Sequence, residues 1–227
     1  MAGTDIARRK PAAGRPTASR LGFTFSKGMT VGLYGGSFNP THEGHAHVAE
    51  TACKRLGLDR VLWLVSPQNP LKSPDQTADL SARVADVRDW ARGRRMIVSD
   101  LERRIGTRYT IDTVRWLKAR FPGVHFVWIM GADSLASFHR WRGWADLARE
   151  VPIAVISRPG VALRSRLSPL ARRFASHRRP AREGRVLAKR PIPAWIYLPA
   201  PFHAVSSTAL RDSRLTKSTP RAMKRAV

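Results

Sequence analysis

The sequence predicts an α/β protein built on a doubly wound, mostly parallel sheet of Rossmann-like type. Short apolar runs alternate with stretches whose apolar residues recur at helical spacing. Two of these runs, Arg60–Val65 and Val124–Met130, are close to continuously apolar, the pattern of strands buried on both faces. A Gly-Gly turn leading into a helix start directly follows the first run. In open parallel sheets, that is where ligands bind.

Taken in order, Thr30–Tyr34 is the first strand. Gly44–Leu56 is a helix, because Val48, Ala49, Ala52, Cys53 and Leu56 share one face and Gly57 supplies a stop. Arg60–Val65 is the second strand, and Ser66–Asp75 is a proline-broken loop. Leu80, Val84, Val87 and Ala91 mark the next helix, and Met96–Ser99 the next strand. Tyr109–Arg120 is a helix with Ile111, Val114 and Leu117 inward. Val124–Met130, Val151–Ser157 and Trp195–Leu198 complete the strands. Between Arg158 and Arg190 the pattern weakens. Leu163, Leu167, Leu170 and Phe174 fall at helical spacing, but Pro169 lies among them. That leaves a surface helix with a solvated basic face or an irregular basic insert at about 161–190. In residues 1–28 the apolar positions Ile6, Leu21, Phe23 and Phe25 share no face, and Pro11 and Pro16 interrupt. The expected organisation is a flexible basic N-terminal tail at 1–28, one domain at 29–214 and a basic C-terminal tail at 215–227. Met29, directly before the first strand, is a candidate second start.

Composition sets limits. The chain has 227 residues, 43% hydrophobic, 25% charged and 8% aromatic, which excludes collagen-like and wholly disordered classes. No apolar run is long enough to cross a membrane. Cys53 is the single cysteine, so no intrachain disulfide framework exists, and a reducing cytoplasm is the expected setting. The net charge of +25 is uneven: residues 1–29, 158–190 and 211–227 contribute +5, +10 and +5. These basic segments lack interleaved aromatics, zinc-ligand spacing or an RNA-binding signature. No specific nucleic-acid partner and no membrane partner are expected.

Gly32–His47 (GLYGGSFNPTHEGHAH) is the most informative stretch. Gly35 and Gly36 allow a sharp turn and close approach of a phosphate to backbone amides. The helix start beyond them offers unpaired N–H groups and partial positive charge. His42 and His45 are one helical turn apart, so both can face one ligand. The plainer alternative is a tight turn with two incidental surface histidines. His47, His125, His177 and His203 show no ligand spacing, and Trp63, Trp90, Trp116 and Trp195 read as packing residues.

The stretch GGSFNPTHEGH resembles the signature of the adenylyl- and cytidylyltransferases, which share a His-x-Gly-His loop with class I aminoacyl-tRNA synthetases. Within them the chain is most similar to the bacterial nicotinate-nucleotide adenylyltransferases. The similarity continues through Tyr109-Thr110, Gly131-Ala132-Asp133-Ser134-Leu135 with Phe138 and Trp141, Ser157-Arg158-Pro159-Gly160, and Val205-Ser206-Ser207-Thr208-Ala209-Leu210-Arg211. It spans about Met29 to Arg214. Asn39 stands where many members have Asp, and Lys72 where many have His or another basic residue.

The resemblance implies transfer of AMP from ATP to nicotinate mononucleotide, with Mg²⁺ carried by the ATP phosphates and no metal site on the protein. It assigns His42 and His45 to the ATP phosphates, with His45 stabilising charge at the α-phosphate. Gly35, Gly36, Ser37 and Phe38 would line the nucleotides through the backbone, and Gly131 and Asp133 would serve the adenosine ribose. Ser206, Ser207, Thr208 and Arg211 would grip the β- and γ-phosphates. Lys72, Thr110, Trp141 and Arg158 would meet the nicotinate nucleotide, Trp141 by stacking. Plain N-capping remains open for Ser206–Thr208 and for Asp133, core packing for Trp141, and a plain surface arginine for Arg158. A phosphopantetheine- or cytidylyl-type transferase is the alternative enzyme, disfavoured by the Asp133–Trp141 segment. A monomer or small homo-oligomer is expected.

Overall fold

In a computed structural model, which describes residues 21–67, 77–157 and 167–200, seven parallel strands form one sheet. The strands are β1 (Thr30–Gly36), β2 (Arg60–Val65), β3 (Met96–Ser99), β4 (His125–Gly131), β5 (Ile153–Ser157), β6 (Arg178–Arg179) and β7 (Trp195–Pro199). Their order is β3-β2-β1-β4-β5-β7-β6. The described helices are α1 (Glu43–Leu56), α2 (Leu80–Trp90), α3 (Leu101–Ile105), α4 (Thr110–Arg120), α5 (Ala132–Leu135), α6 (Trp144–Glu150) and α7 (Pro169–Arg173). None of the described helices is long and apolar enough to cross a membrane.

Alternation along each strand sends side chains to two separate cores. Val31, Leu33, Leu62, Leu64, Phe126, Trp128 and Met130 pack with Leu101, Ile111, Val114, Leu117 and Leu147 on one face. Tyr34, Val61, Trp63, Val65, Val127 and Ile129 pack with Val48, Ala52, Cys53, Leu56, Val84 and Val87 on the other. Both faces are therefore covered, which is why the strands read as continuous apolar runs.

Two expectations need correction. Residues 21–28 belong to the domain and not to a tail. Leu21 and Phe25 are buried in the first core, with the Phe25 ring 5.1 Å from Phe121 and 6.2 Å from Phe126. The Gly28 N–H also donates to Gly123 O at 2.8 Å. These contacts join positions distant in sequence, so no local periodicity announces them. Nor is the described part of the basic stretch after 158 an appended insert. Ser168 caps α7 through Ala171 N at 3.2 Å, and Pro169 opens that helix instead of breaking it. Leu170 and Phe174 enter the first core. A 3₁₀ segment, Ala181–Lys189, crosses to α1 and buries Leu187 in the second core. Between them β6 pairs with β7 and ends the sheet, the Arg178 guanidinium lying 5.4 Å above the Trp195 ring.

Candidate active site

The chain leaves β1 for β2 and β3 on one side, then returns to β4 on the other. The strand order thus reverses between β1 and β4, and a crevice is expected at their carboxyl ends. Tyr34 stands beside Ile129, so the two strands run out together at Gly36 and Gly131. Gly35 is required by packing: a Cβ there would lie 2.4 Å from Trp128 Cη2. At Gly36 it would lie 3.1 Å from the Phe38 ring.

Beyond the turn, Phe38 takes the left-handed conformation, φ 45°. Its ring is buried 5.4 Å from Tyr34, 5.3 Å from Trp63 and 5.2 Å from His45. Phe38 therefore serves the second core with its side chain. The Thr41 N–H donates to Asp86 Oδ2 at 2.7 Å, and Ala78 N–H to Asn39 Oδ1 at 3.3 Å. The buried Arg83 donates to four backbone carbonyls, those of Ser37, Ser66, Pro67 and Ala78, each at 2.8 Å. Burial lowers its pKa, against the opposing effect of Asp79.

The two histidines form a reciprocal cap on α1. His42, extended and 4% exposed, accepts the Gly44 N–H at Nδ1, 3.0 Å away. His45 accepts the His42 N–H at its own Nδ1, 3.2 Å away. The pattern is that of a capping box, with imidazoles in place of the usual hydroxyl and carboxylate. Acceptance at both Nδ1 atoms assigns the hydrogen of each neutral ring to Nε2, so both rings become Nε2–H donors. Their centroids are 4.0 Å apart.

Across the crevice, Trp128 meets Trp141 edge-on at 5.9 Å, and Phe138 meets Trp141 at 5.4 Å. Trp141 is partly buried against the first core. The next residues pack onto the start of α4: the Arg142 guanidinium lies 4.5 Å over the Tyr109 ring, and a Cβ at Gly143 would be 3.3 Å from Ile111. Thr110, the first residue of α4, is thereby brought beside the Trp141 loop. Gly131 caps α5 and Asp133 occupies the second position of that helix, so the N-cap alternative for Asp133 does not hold. Behind α4, burial pushes the Glu102 carboxyl up to about 7, although the Thr113 hydroxyl donates to it at 3.3 Å.

Thus Gly35, Gly36, Ser37, Phe38, His42 and His45 lie at or beyond the end of β1, Gly131 and Asp133 at or beyond the end of the neighbouring β4, and Trp128 neighbours both Gly35 and Trp141. Lys72, Arg158, Ser206, Ser207, Thr208 and Arg211 lie outside the described residues. Sequence reasoning passed over Arg83, Asp86 and Glu102. Arg83 carried a signal: its position on α2 falls on the apolar face formed by Leu80, Val84 and Val87. Among the described residues, no group of three or more His, Cys, Asp or Glu is placed to hold a metal ion.

A cytidylyltransferase-like family model matches residues 33–213. A protein of Caulobacter sp. (strain K31), named "Probable nicotinate-nucleotide adenylyltransferase", is 66% identical over 83% of this chain and 100% of its own length. The chain belongs to the nicotinate-nucleotide adenylyltransferase family. Another member, from Methylorubrum extorquens, is 54% identical over 81% of this chain and 99% of its own. The fold also matches a Plasmodium falciparum nicotinic acid mononucleotide adenylyltransferase complexed with NaAD, at TM-score 0.61 and 16% identity, over 81% of this chain and 83% of that one. The nicotinate-nucleotide adenylyltransferase fold and the doubly wound sheet expected from the sequence are therefore the same architecture.

Proposed function

We propose that this chain transfers AMP from ATP to nicotinate mononucleotide, giving nicotinate adenine dinucleotide and pyrophosphate as a step of NAD synthesis in the cytoplasm. The observation that carries the reading is the His42–His45 cap at the head of α1, beside the Gly35–Gly36 turn. The 5′-phosphate oxygen of the acceptor attacks the α-phosphorus of ATP in line. A new P–O bond forms, the bond between the α-phosphorus and its bridging oxygen breaks, and pyrophosphate leaves. The attacking phosphate is already ionised near neutral pH, so positioning and charge stabilisation carry the chemistry. The Nε2–H groups of His42 and His45 and the first amides of α1 are the donors assigned to the phosphates, with His45 at the α-phosphate. The ATP brings its Mg²⁺. The imidazole N–H and amide donors suit anionic oxygens and not a cation, so the protein itself is assigned no metal cage.

Trp141 is assigned to the pyridine ring, and amides near Thr110 and Trp141 to its carboxylate. Lys72 and Arg158 are assigned to the same nucleotide, Asp133 and Gly131 to the ribose, and Ser206, Ser207, Thr208 and Arg211 to the outer phosphates. A hydrogen bond to a charged group contributes about 1.5–3 kcal/mol, roughly a ten- to hundredfold preference for the acid over the amide. The test is pyrophosphate release with ATP, Mg²⁺ and each acceptor. Nicotinate mononucleotide should give a kcat/KM at least about tenfold above the nicotinamide nucleotide, and Trp141→Ala should narrow the gap. Equal turnover of acid and amide by the unmodified chain overturns the substrate assignment.

A further inference from the structure

We propose that Arg83 and Asp86 of α2 are positioning residues that hold the turn ahead of the two histidines in its working shape. The inference rests on the adenylyl-transfer reading above. The turn from Ser37 to Thr41 contains a strained residue, Phe38 at φ 45°. A non-glycine residue keeps such a conformation only where its surroundings over-determine it, at a cost of about 1–3 kcal/mol. Here the surroundings grip the turn on both sides of Phe38. Arg83 Nη1 donates to Ser37 O, just before it, and Asp86 Oδ2 accepts from Thr41 N, just before His42. The two anchors are three residues apart, so one face of one helix supplies both.

Arg83 does more than hold one carbonyl. The same guanidinium binds Ser66 O and Pro67 O at the exit of β2, and Ala78 O at the entry to α2. Three chain segments that are separate in sequence are thus fixed to one rigid planar group. A planar guanidinium with five fixed N–H donors can do this; a lysine ammonium, with three donors on one atom, cannot reproduce the geometry. Neither residue is assigned a contact with substrate. Each acts through the turn on the backbone of His42, whose N–H is the donor that orients His45. A displacement of about 1 Å at a reacting geometry costs on the order of a hundredfold in rate.

Three variants are compared with the unmodified full chain. Asp86→Ala removes the acceptor for Thr41 N, Asp86→Asn keeps an oxygen there, and Arg83→Lys keeps charge without the fork. Asp86 is only partly buried, so Asp86→Ala decides the matter even if the buried Arg83→Lys fails to fold. Asp86→Ala should lower kcat at least about tenfold, with KM for ATP moving less than about threefold, and Asp86→Asn should restore most of the loss. Nitrogen NMR of the histidine rings reads the same clamp without turnover. His42 and His45 should report the Nε2–H tautomer in the unmodified chain and a mixture in Asp86→Ala. The proposal is overturned if folded Asp86→Ala keeps its kcat and ring signals, or if Asp86→Asn loses as much as Asp86→Ala. If the unmodified chain turns over no acceptor, the activity reading fails separately, and the ring signals still decide the clamp.

Discussion

Gly35→Ala separates two reasons for a glycine at the end of β1. If the position is glycine only so that a phosphate can approach, alanine should cost activity and leave stability intact. The geometry predicts otherwise. The added Cβ would stand 2.4 Å from Trp128 Cη2 and 3.0 Å from Cζ2. Carbon atoms in contact sit about 3.5–4.0 Å apart, so the indole must retreat by about 1 Å. Trp128 is 1% exposed and packs edge-on against Trp141, so the retreat displaces other core atoms. Overpacking of this kind costs about 1–3 kcal/mol. At about 2–4 °C per kcal/mol for a chain of this size, Tm should fall by about 2–12 °C. The assay is thermal unfolding of the unmodified chain, Gly35→Ala, Trp128→Phe and the double variant. Trp128→Phe removes the outer ring atoms that the Cβ meets. The double variant should therefore be more stable than the two single losses predict, by about 1 kcal/mol or more. KM for the acceptor should also rise more than KM for ATP in Gly35→Ala, because Trp128 supports Trp141. Additivity within about 0.5 kcal/mol refutes the packing argument.

Other substitutions follow from the same contacts. His45→Ala removes one side of the helix cap and the donor assigned to the α-phosphate; stability should fall by about 0.5–2 kcal/mol and kcat by about 10²–10³, and a kcat within a few-fold of the unmodified chain refutes the role. The Glu102 carboxyl is pushed from 4.5 to about 7 by burial, so the folded chain holds a proton that the unfolded chain releases. Stability should accordingly fall by about 3 kcal/mol as pH rises from about 4.5 to 7, and denaturant titrations of Glu102→Gln should lack that slope. Asp100 titrates in the opposite sense: burial raises its pKa, but hydrogen bonds and charge from Arg103 and Arg104 outweigh this and lower it, so its stabilisation is lost as pH falls through its depressed value. A chain begun at Met29 loses the buried Leu21 and Phe25, about 1.5–3 kcal/mol each, and its Tm should drop by about 6 °C or more; an unchanged Tm refutes their place in the core.

Much of the sheet was legible because its strands are covered on both faces. Arg60–Val65 and Met96–Ser99 have the expected bounds, and the other expected strands shift at their ends by one or two residues. The histidine loop was legible from its glycines and its place after β1. What escaped was either short or tertiary. Helix α3 has only five residues, too few to display a period. Phe25 follows no pattern because it packs on Phe121 and Phe126, about a hundred residues later, and Leu21 joins the same core. Pro169 read as an interruption because proline both ends helices and begins them, and only the capping bond from Ser168 decides which. Arg83 was missed because a charged residue within an apolar face reads as an exception, when here it is the buried partner of four carbonyls.

The two-residue strand β6 gives the basic stretch after 158 a structural meaning. A parallel sheet invites further strands wherever its outer backbone is left unpaired, including strands of another molecule. On this margin the last rung consists of two arginines, and one of them is spread over Trp195. A strand added there would have to strip water from the exposed Arg178 guanidinium without offering it a counter-charge. Part of the positive charge that composition alone would suggest for gripping a polyanion is thus committed to the margin of the sheet.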